Sequence, residues 1–332
     1  MNDAVIVSGA RTPVGRFGGA FKDIGAPDLG STAIKAALDR AGVSPDMVDE
    51  VVLGNAIQAA EAGYAARLAS LQAGIPHDTP TIAVNRQCSS GLEAINMAAQ
   101  LVRTGEADIV VAGGTENMSQ VPYLIDYKAR FDGLRMGNSQ LIDGLTEGLG
   151  CPVNRYHMGV TAENVAERFS VSRKDQDELA VMSHQRASTA ISEGKFTNQI
   201  VTVSVPQRRG DPIVVMEDEG PRADTTIEGL SNLRPVFKKD GTVTAGNASS
   251  INDGSAAVVM MSAQKAADLG IKPRMKWHTR GIAGVDPAVM GIGPVPAVQK
   301  AINKSGMVVN DIDLIELNEA FASQALYCIR EL

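Results

Sequence analysis

The feature that most constrains this 332-residue chain is an internal repeat between its two ends. Residues 33–57 (AIKAALDRAGVSPDMVDEVVLGNAI) align without a gap with residues 297–321 (AVQKAINKSGMVVNDIDLIELNEAF), at a constant offset of 264 residues. Each copy has the pattern of an amphipathic helix, a glycine that ends it, a short loop and an apolar strand. A repeat at this offset predicts two similar halves with a large insertion between them, and not a solenoid.

Apolar runs alternate with helical patterns in the first third of the chain. Strands are predicted for residues 3–10, 48–57, 79–85 and 107–114. Helices are predicted for residues 29–42 and 89–105, with Gly42 and Gly105 as their ends. The alternation predicts an α/β fold with a mainly parallel sheet and helices on its faces.

The middle of the chain is more polar and irregular, which indicates an insertion into the sheet layer. Within it, residues 206–226 (PQRRGDPIVVMEDEGPRADTT) have the pattern of an exposed hairpin and loop. Alternating α/β texture returns at residues 252–270.

Composition excludes several classes of protein. The net charge of −7 argues against nonspecific nucleic-acid binding, which needs a basic face. No apolar run approaches the ~20 residues that span a membrane, so no membrane partner is expected. Three cysteines without a CxxC pair indicate a protein of the reducing cytoplasm. No group of His, Cys or Asp residues has the spacing of metal ligands, so no metal site is expected.

Cys88 lies at a predicted strand-to-helix corner, in the segment NRQCSSGLEA (85–94). The N-terminus of a helix carries partial positive charge, which favours a thiolate and therefore a nucleophile. The neighbouring serines could cap the helix, and Gly91 would allow close approach of another backbone or a substrate. Spacing alone leaves a second interpretation open, in which Cys88 is a small buried residue.

Several motifs, in order, resemble those of the thiolase family of acetyl-CoA acetyltransferases and 3-ketoacyl-CoA thiolases. Besides NRQCSSGLEAI, they are SGARTPVGRFGGAF (8–21), AGGTENMSQVPY (112–123), YHMGVTAENVAERF (156–169), GTVTAGNASSINDGSAA (241–257), GIGPVPAVQKAI (291–302) and ELNEAFASQAL (316–326). The resemblance implies two similar α-β-α-β-α halves with an inserted loop domain. It implies an N-terminal half of residues 1–120 with 251–273, a coenzyme A-binding loop domain of residues 121–250, and an incomplete C-terminal half of residues 274–332.

The resemblance also implies an activity. A thiolase transfers an acyl group by a ping-pong mechanism, and here Cys88 would attack a thioester and hold the acyl group. Two acetyl-CoA molecules would condense to acetoacetyl-CoA, or coenzyme A would cleave a 3-ketoacyl-CoA. Coenzyme A is then a substrate and no permanently bound cofactor is implied. The family forms homodimers and homotetramers.

Further site residues follow by match to the family motifs. Asn318 would hold a water of one oxyanion hole, and the backbone N–H of Cys88 would contribute to the second. Residues near the pantetheine arm would be His157, Met158, Ser249, Ala320 and Phe321. Arg222 would lie near the nucleotide end of coenzyme A.

Each of these residues also has a structural interpretation. His157 could be a satisfied core histidine and Met158 core filler. Asn318 could cap a helix that starts at EAFASQAL, and Ser249 could be a turn residue. His184 and Cys328 match no family role.

The sequence departs from the family pattern in one respect. Thiolases carry a Gly-His-Pro segment and a later Cys-x-Gly segment, and neither occurs in these 332 residues. The pattern predicts a truncated thiolase in which condensation fails while slow acylation of Cys88 could persist. The apolar runs at 255–261 and 312–317 are expected to lack neighbouring strands. An alternative is a catalytically inactive coenzyme A-binding or regulatory subunit. A cysteine hydrolase is disfavoured, because no matching histidine motif is present.

Overall fold

The computed structural model describes residues 2–332, without the side chains of Ala60 and Glu61. The strands, in chain order, are β1 (Ala4–Arg11), β2 (Gly15–Arg16), β3 (Glu50–Gly54), β4 (Thr81–Val84), β5 (Ile109–Asn117), β6 (Tyr123–Leu124), β7 (Ile142–Asp143), β8 (Gly150–Cys151), β9 (Tyr156–His157), β10 (Val203–Val205), β11 (Ile213–Val215), β12 (Asn252–Ser262) and β13 (Met275–Lys276). The α-helices are α1 (Ala26–Ala41), α2 (Ala65–Gln72), α3 (Ser90–Thr104), α4 (Ala129–Asp132), α5 (Gly144–Gly148), α6 (Met158–Arg168), α7 (Arg173–Ser192), α8 (Ile227–Ser231), α9 (Ala263–Asp268), α10 (Pro294–Ser305) and α11 (Ala322–Glu331).

The chain folds into two compact units. Unit 1 contains the residues up to Gly148 together with Phe196–Gly220 and Ile251–Trp277. Unit 2 contains Leu149–Lys195, Pro221–Ser250 and His278–Leu332. The three-segment division implied by the family resemblance stays a prediction.

A seven-stranded sheet forms the centre of unit 1, with strand order β13-β1-β12-β5-β3-β4 and β2 paired with β12. β3 is parallel to β4 and β5, but β12 is antiparallel to β1 and β5. The prediction of a mainly parallel sheet is therefore wrong, because the central strand β12 is antiparallel to both of its long neighbours. The reason is that β12 follows the insertion, so no short crossover helix imposes a parallel direction on it.

The central position of β12 also corrects the expectation for residues 255–261. These residues were expected to lack neighbouring strands, yet they pair with β1 on one side and with β5 on the other. Val259, Met260 and Met261 are fully buried as a result.

The core of unit 1 has three layers, because successive residues of a strand face opposite sides. Val51 and Leu53 of β3 pack with α1 and α2, whereas Val52 packs with α3. Alanines dominate the facing sides of the helices, namely Ala33, Ala37, Ala66, Ala69, Ala94, Ala98 and Ala99. These small side chains let the helices lie close to the sheet.

The predicted helices of the internal repeat are confirmed as α1 and α10. Each ends at a left-handed glycine, Gly42 with φ 66° and Gly306 with φ 73°. The helix predicted at residues 89–105 is confirmed as α3, which ends at Gly105 with φ 79°.

The second copy of the repeat lacks the strand predicted for residues 312–317. In the first copy, β3 is paired between β4 and β5, whereas no strand of the described residues pairs with 312–317. A strand needs such partners to satisfy its backbone, which explains the wrong prediction. Leu314 is 77% exposed there.

The hairpin predicted at residues 206–226 is confirmed in part, because β11 lies within this stretch but its antiparallel partner β10 precedes it. Only β11 is exposed, with Ile213 at 55%. Val203 and Val205 of β10 are buried in a small cluster with Phe21, Ile24 and Leu29 of unit 1.

Between Asn2 and Leu332, no helix combines the length and the apolar character that crossing a bilayer requires.

The start of α3 lies directly on the ends of β3 and β5. A Cβ placed on Gly54 of β3 would lie 2.5 Å from the backbone nitrogen of Gly91 and would overlap Ser90. Gly91 itself has ordinary space, since its Cβ would lie 3.8 Å from the nearest atom, the carbonyl oxygen of Gly113. The sequence analysis assigned the close approach to Gly91, but the glycine that permits it is Gly54.

Substituting these two glycines separates their roles. Gly54→Ala is expected to destabilise the protein by about 1–3 kcal/mol, because the α3 backbone must move to admit a methyl group. Gly91→Ala is the matched control, expected to stay within about 1 kcal/mol of wild type, with helix propensity in its favour. Urea denaturation checks both variants. Equal losses of unfolding free energy would contradict the assignment to Gly54.

Candidate active site

Unit 1 presents Cys88 at the corner between β4 and α3. Cys88 is exposed, whereas Cys151 and Cys328 are buried. The alternative interpretation of Cys88 as a small buried residue is therefore wrong. α3 begins at Ser90 and has 15 residues, so the sulfur-bearing residue lies just before the N-terminus of a long helix. We call residues 85–90 the nucleophile corner.

The backbone of the nucleophile corner is held in an uncommon conformation. Gln87, directly before Cys88, has φ 49°, in the left-handed region that non-glycine residues rarely adopt. Its N–H donates to Oδ1 of Asn85 over 2.9 Å, and its carbonyl oxygen accepts from Oγ of Ser90 over 2.6 Å.

The two serines stabilise this corner and do not cap the helix with their side chains, contrary to the sequence prediction. Ser89 is the N-cap residue but makes no side-chain capping bond, and its Oγ donates to the carbonyl oxygen of Arg86. Oγ of Ser90 accepts from the N–H of Arg86 over 2.8 Å. The side chain of Arg86 also pairs with Glu93, whose Oε2 lies 3.5 Å from Nε. The corner is thus tied to the first turns of α3.

Unit 2 gathers several of the predicted coenzyme A-contact residues around one aromatic group. His157 stacks on Phe237 with ring centroids 4.8 Å apart, and Phe237 meets Phe321 edge-on at 6.2 Å. We call His157, Phe237 and Phe321 the aromatic group. Gly159 makes the stacking possible, because a Cβ there would overlap the Phe237 ring. Met158, next to His157, is half-buried at the start of α6.

His157 also caps α6. Its Nδ1 accepts the N–H of Gly159 over 3.0 Å, which places the proton of the neutral ring on Nε2. Burial lowers the pKa of His157 below its ordinary value. The ring is therefore kept neutral, with an N–H donor remaining on Nε2.

A short backbone pairing brings Ser249 to Ala320 and Phe321. The N–H of Ser249 donates to the carbonyl oxygen of Ala320, and that of Ala322 to the carbonyl oxygen of Asn247, each over 2.9 Å. Ser249 is exposed, and its Oγ donates to the carbonyl oxygen of Ser250 over 3.2 Å. The hydroxyl therefore lies where a ligand can reach it.

Asn318 lies in the exposed loop before α11. α11 begins at Ala322 with Phe321 as its N-cap, so the alternative in which Asn318 caps this helix is wrong. The next residue, Glu319, accepts a hydrogen bond from Oγ of Ser183 over 2.7 Å. This bond ties the loop to α7.

Arg222 is exposed and lies beside His184, whose Nδ1 accepts the N–H of Arg222 over 3.2 Å. Burial, and next the positive charge of Arg222, lower the pKa of His184 below its ordinary value. Sequence reasoning missed His184, Phe237 and Glu319. Phe237 carried the one usable signal, as an aromatic residue in a polar loop of a chain with only 4% aromatic residues.

In the part of the chain that the structure describes, no group of three or more His, Cys, Asp or Glu side chains could hold a metal ion.

Comparison with known protein families gives matches along nearly the whole chain. Residues 4–264 match the family model for the thiolase N-terminal domain, and residues 271–332 match that for the thiolase C-terminal domain. A probable acetyl-CoA acyltransferase of Staphylococcus aureus (strain COL) is 50% identical over 333 residues, which cover 100% of this chain and 84% of that relative.

Solved structures give the same result. The Bacillus anthracis acetyl-CoA acetyltransferase superposes with a TM-score of 0.97 at 44% identity, over 100% of this chain and 83% of its own. Human mitochondrial 3-ketoacyl-CoA thiolase in complex with CoA superposes with a TM-score of 0.94 at 41% identity, over 99% and 82%. These similarities confirm the predicted α/β fold class.

The neutral His157 predicts a pH-dependent stability. Because its pKa is lowered in the folded state, the unfolded chain takes up a proton first as the pH falls. The contribution of His157 is thus complete above about pH 6.5 and is lost as the pH falls through the folded-state pKa. His157→Asn keeps an N-cap acceptor but does not titrate. Urea denaturation across this pH range should show that the unfolding free energy of His157→Asn falls less at acid pH than that of wild type. An equal fall in both proteins would contradict the assignment.

Proposed function

The chain belongs to the thiolase family, and from that premise we propose that it transfers acyl groups between coenzyme A thioesters through an acyl-enzyme on Cys88. The observation that carries the proposal is the exposure of Cys88 directly before the N-terminus of α3. At that position the thiol is accessible to a thioester, and the free N–H groups of the first helical turn lie beside the reacting carbonyl group.

The proposed first step is a thioester exchange. The Cys88 thiolate attacks the carbonyl carbon of acyl-CoA, a new C–S bond forms to Sγ, and the bond to the coenzyme A sulfur breaks. Coenzyme A leaves and takes up a proton as the thiol. The negative charge on the carbonyl oxygen is proposed to be stabilised by the backbone N–H of Cys88, and such a donor is worth several kcal/mol, about 3.

The second step of the proposal makes or breaks a carbon–carbon bond. A second acetyl-CoA gives up an α-proton to a base, and its carbanion attacks the acyl carbon on Cys88. A C–C bond forms, the bond between the acyl carbon and Sγ breaks, and acetoacetyl-CoA leaves with Cys88 restored as the thiolate. In reverse, Cys88 attacks the 3-keto carbon of a 3-ketoacyl-CoA, the C–C bond breaks and the released carbanion takes up a proton as acetyl-CoA. The coenzyme A thiol then removes the acyl group from Cys88. Asn318 is proposed to hold a water of the second oxyanion hole, which its exposed position before α11 supports.

Unit 2 is proposed to bind coenzyme A, with no permanently bound cofactor. His157, Met158, Ala320 and Phe321 would contact the pantetheine arm, and Ser249 would hydrogen-bond to it. The grouping of these residues around the aromatic group supports this, because the arm combines methylene stretches with amides. Arg222, exposed and cationic, is proposed for the phosphate end of the nucleotide.

A homodimer or homotetramer is also proposed, acting in the cytoplasm. The support for an oligomer is an exposed apolar surface of a size that is unusual on a monomer. Within residues 123–141, the exposed large apolar side chains are Tyr123, Leu124, Ile125, Tyr127, Phe131, Leu134, Met136 and Leu141.

The 332-residue chain is proposed to perform acylation better than condensation. The family's Gly-His-Pro and Cys-x-Gly segments do not occur in these residues. Cys328 is a poor substitute for the missing acid/base. It is fully buried, its Sγ donates to the carbonyl oxygen of Gly291 over 3.5 Å, and burial raises its pKa.

Acylation can be measured directly. The 332-residue chain incubated with acetyl-CoA is expected to gain one acetyl group on the Cys88 peptide, detected by mass spectrometry. Cys88→Ser should abolish this labelling, because a serine hydroxyl at this position lacks an activating base. Cys151→Ser, at a buried thiol, is the matched control and should label as wild type. Labelling that persists in Cys88→Ser would refute the assignment of the nucleophile.

Thiolysis tests the second step separately. The same chain is expected to cleave acetoacetyl-CoA with coenzyme A at least about 100-fold more slowly than a thiolase that carries both segments, since general acid–base catalysis typically contributes ~10²–10⁴-fold. Loss of the absorbance of the 3-ketoacyl thioester measures the rate. Rapid turnover would show that other residues supply the acid/base. A chain that binds coenzyme A yet is neither acylated nor active would favour the inactive coenzyme A-binding subunit.

A further inference from the structure

We propose that Glu116 is a positioning residue for the nucleophile, acting through Ala56, Asn85 and Gln87 on Cys88. This inference rests on the proposed function, because it concerns the same nucleophile corner. All five residues lie in unit 1, at the carboxyl ends of β3, β4 and β5.

The first link joins β5 to the turn that follows β3. The Glu116 carboxylate accepts the N–H of Ala56 over 2.7 Å and that of Ile57 over 3.3 Å, and Nδ2 of Asn55 over 3.1 Å. Burial raises the pKa of Glu116, although these hydrogen bonds oppose it. A half-buried carboxylate with three donors holds the turn of residues 55–57 firmly, since losing any bond would leave a desolvated group without a partner.

The second link joins that turn to the end of β4. Both backbone polar groups of Ala56 are hydrogen-bonded. Its N–H donates to Glu116, and its carbonyl oxygen accepts from Nδ2 of Asn85 over 2.8 Å. In addition, the N–H of Asn55 donates to the carbonyl oxygen of Val84 over 3.0 Å. The position of the Asn85 side chain is therefore set by the turn that Glu116 holds.

The third link reaches the residue before Cys88. Oδ1 of Asn85 accepts the N–H of Gln87 over 2.9 Å. The left-handed conformation of Gln87 costs roughly 1–3 kcal/mol, and such a conformation persists only when its surroundings hold it. The Asn85 amide supplies that hold from the sheet side, while Ser89 and Ser90 supply it from the helix side.

The relay has a consequence for reactivity. Without Glu116, the turn, the Asn85 amide and then Gln87 lose their fixed positions, and the Cys88 sulfur no longer stays in front of the α3 N-terminus. Misplacing a reacting group by ~1 Å can cost about 100-fold in rate. Substrate binding should be spared, because none of the relay residues is among those proposed to contact coenzyme A.

The test compares Glu116→Gln, Asn85→Ala and the double variant in the full 332-residue chain. Gln keeps one acceptor oxygen but replaces the other with an NH₂ group that faces N–H donors, so the first link is weakened. Asp49→Asn is the matched control. Oδ2 of Asp49 accepts two backbone N–H groups, of Asp108 and Ile109, each over 2.8 Å, at the opposite ends of β3 and β5.

Two rates are measured, alkylation of Cys88 by iodoacetamide and single-turnover acylation at increasing acetyl-CoA concentration. Glu116→Gln and Asn85→Ala should each slow alkylation about threefold to tenfold, because Cys88 loses the backbone position that keeps its thiol accessible. The maximal acylation rate should fall about tenfold or more, with the half-saturating acetyl-CoA concentration unchanged. The double variant should be no slower than either single variant, as expected for residues in one chain of bonds.

Three outcomes would overturn the proposal. They are unchanged alkylation in Glu116→Gln, an equal slowing in Asp49→Asn, and multiplicative effects in the double variant. Wild-type protein that alkylates at Cys88 but is never acylated would refute the proposed function instead, and the alkylation rates would still decide the role of Glu116.

Discussion

The contact on which unit 1 depends is one between backbones. Gly54, at the end of β3, has no side chain, and the first residues of α3 occupy the space where one would be. Gly114, paired with Gly54 across β3 and β5, would place its own Cβ 3.2 Å from the carbonyl oxygen of Gly54 and 3.5 Å from the Cα of Gly91. The glycines thus let a helix terminus, and the cysteine before it, rest on the sheet itself.

Much of unit 1 could be predicted because its signals are local. The alternation of apolar runs located β1, β3, β4 and β5, and the left-handed Gly42 and Gly105 ended α1 and α3 where expected. The direction of β12 could not be predicted in this way, because its partners are more than 100 residues distant in the chain. The same limit explains residues 312–317, which have the composition of a strand but lack the pairing that makes one.

The residues of unit 2 were found by motif, but their arrangement depends on distant contacts. Ser249 meets Ala320 through a backbone pairing across some 70 residues of sequence, and His157 meets Phe237 across about 80. No periodicity encodes either contact. The Phe237 ring packs against Gly159 at the start of α6, and this contact depends on the three-dimensional position of the helix and not on the local sequence.

The three cysteines show why residue type alone is a weak guide to chemistry. Cys151 ends β8, where its Sγ accepts the N–H of Asn154 in the turn that follows. Cys328 lies on the packed face of α11, beside Gln324 and Gly291. Both residues are buried by the segments packed around them. Cys88 differs because the element that follows it is seated on glycines, and the residue before it is turned outward by a left-handed backbone. Cys88 becomes available for chemistry through the conformation of its neighbours, which leave it exposed while one face of the helix that follows it stays buried against the sheet.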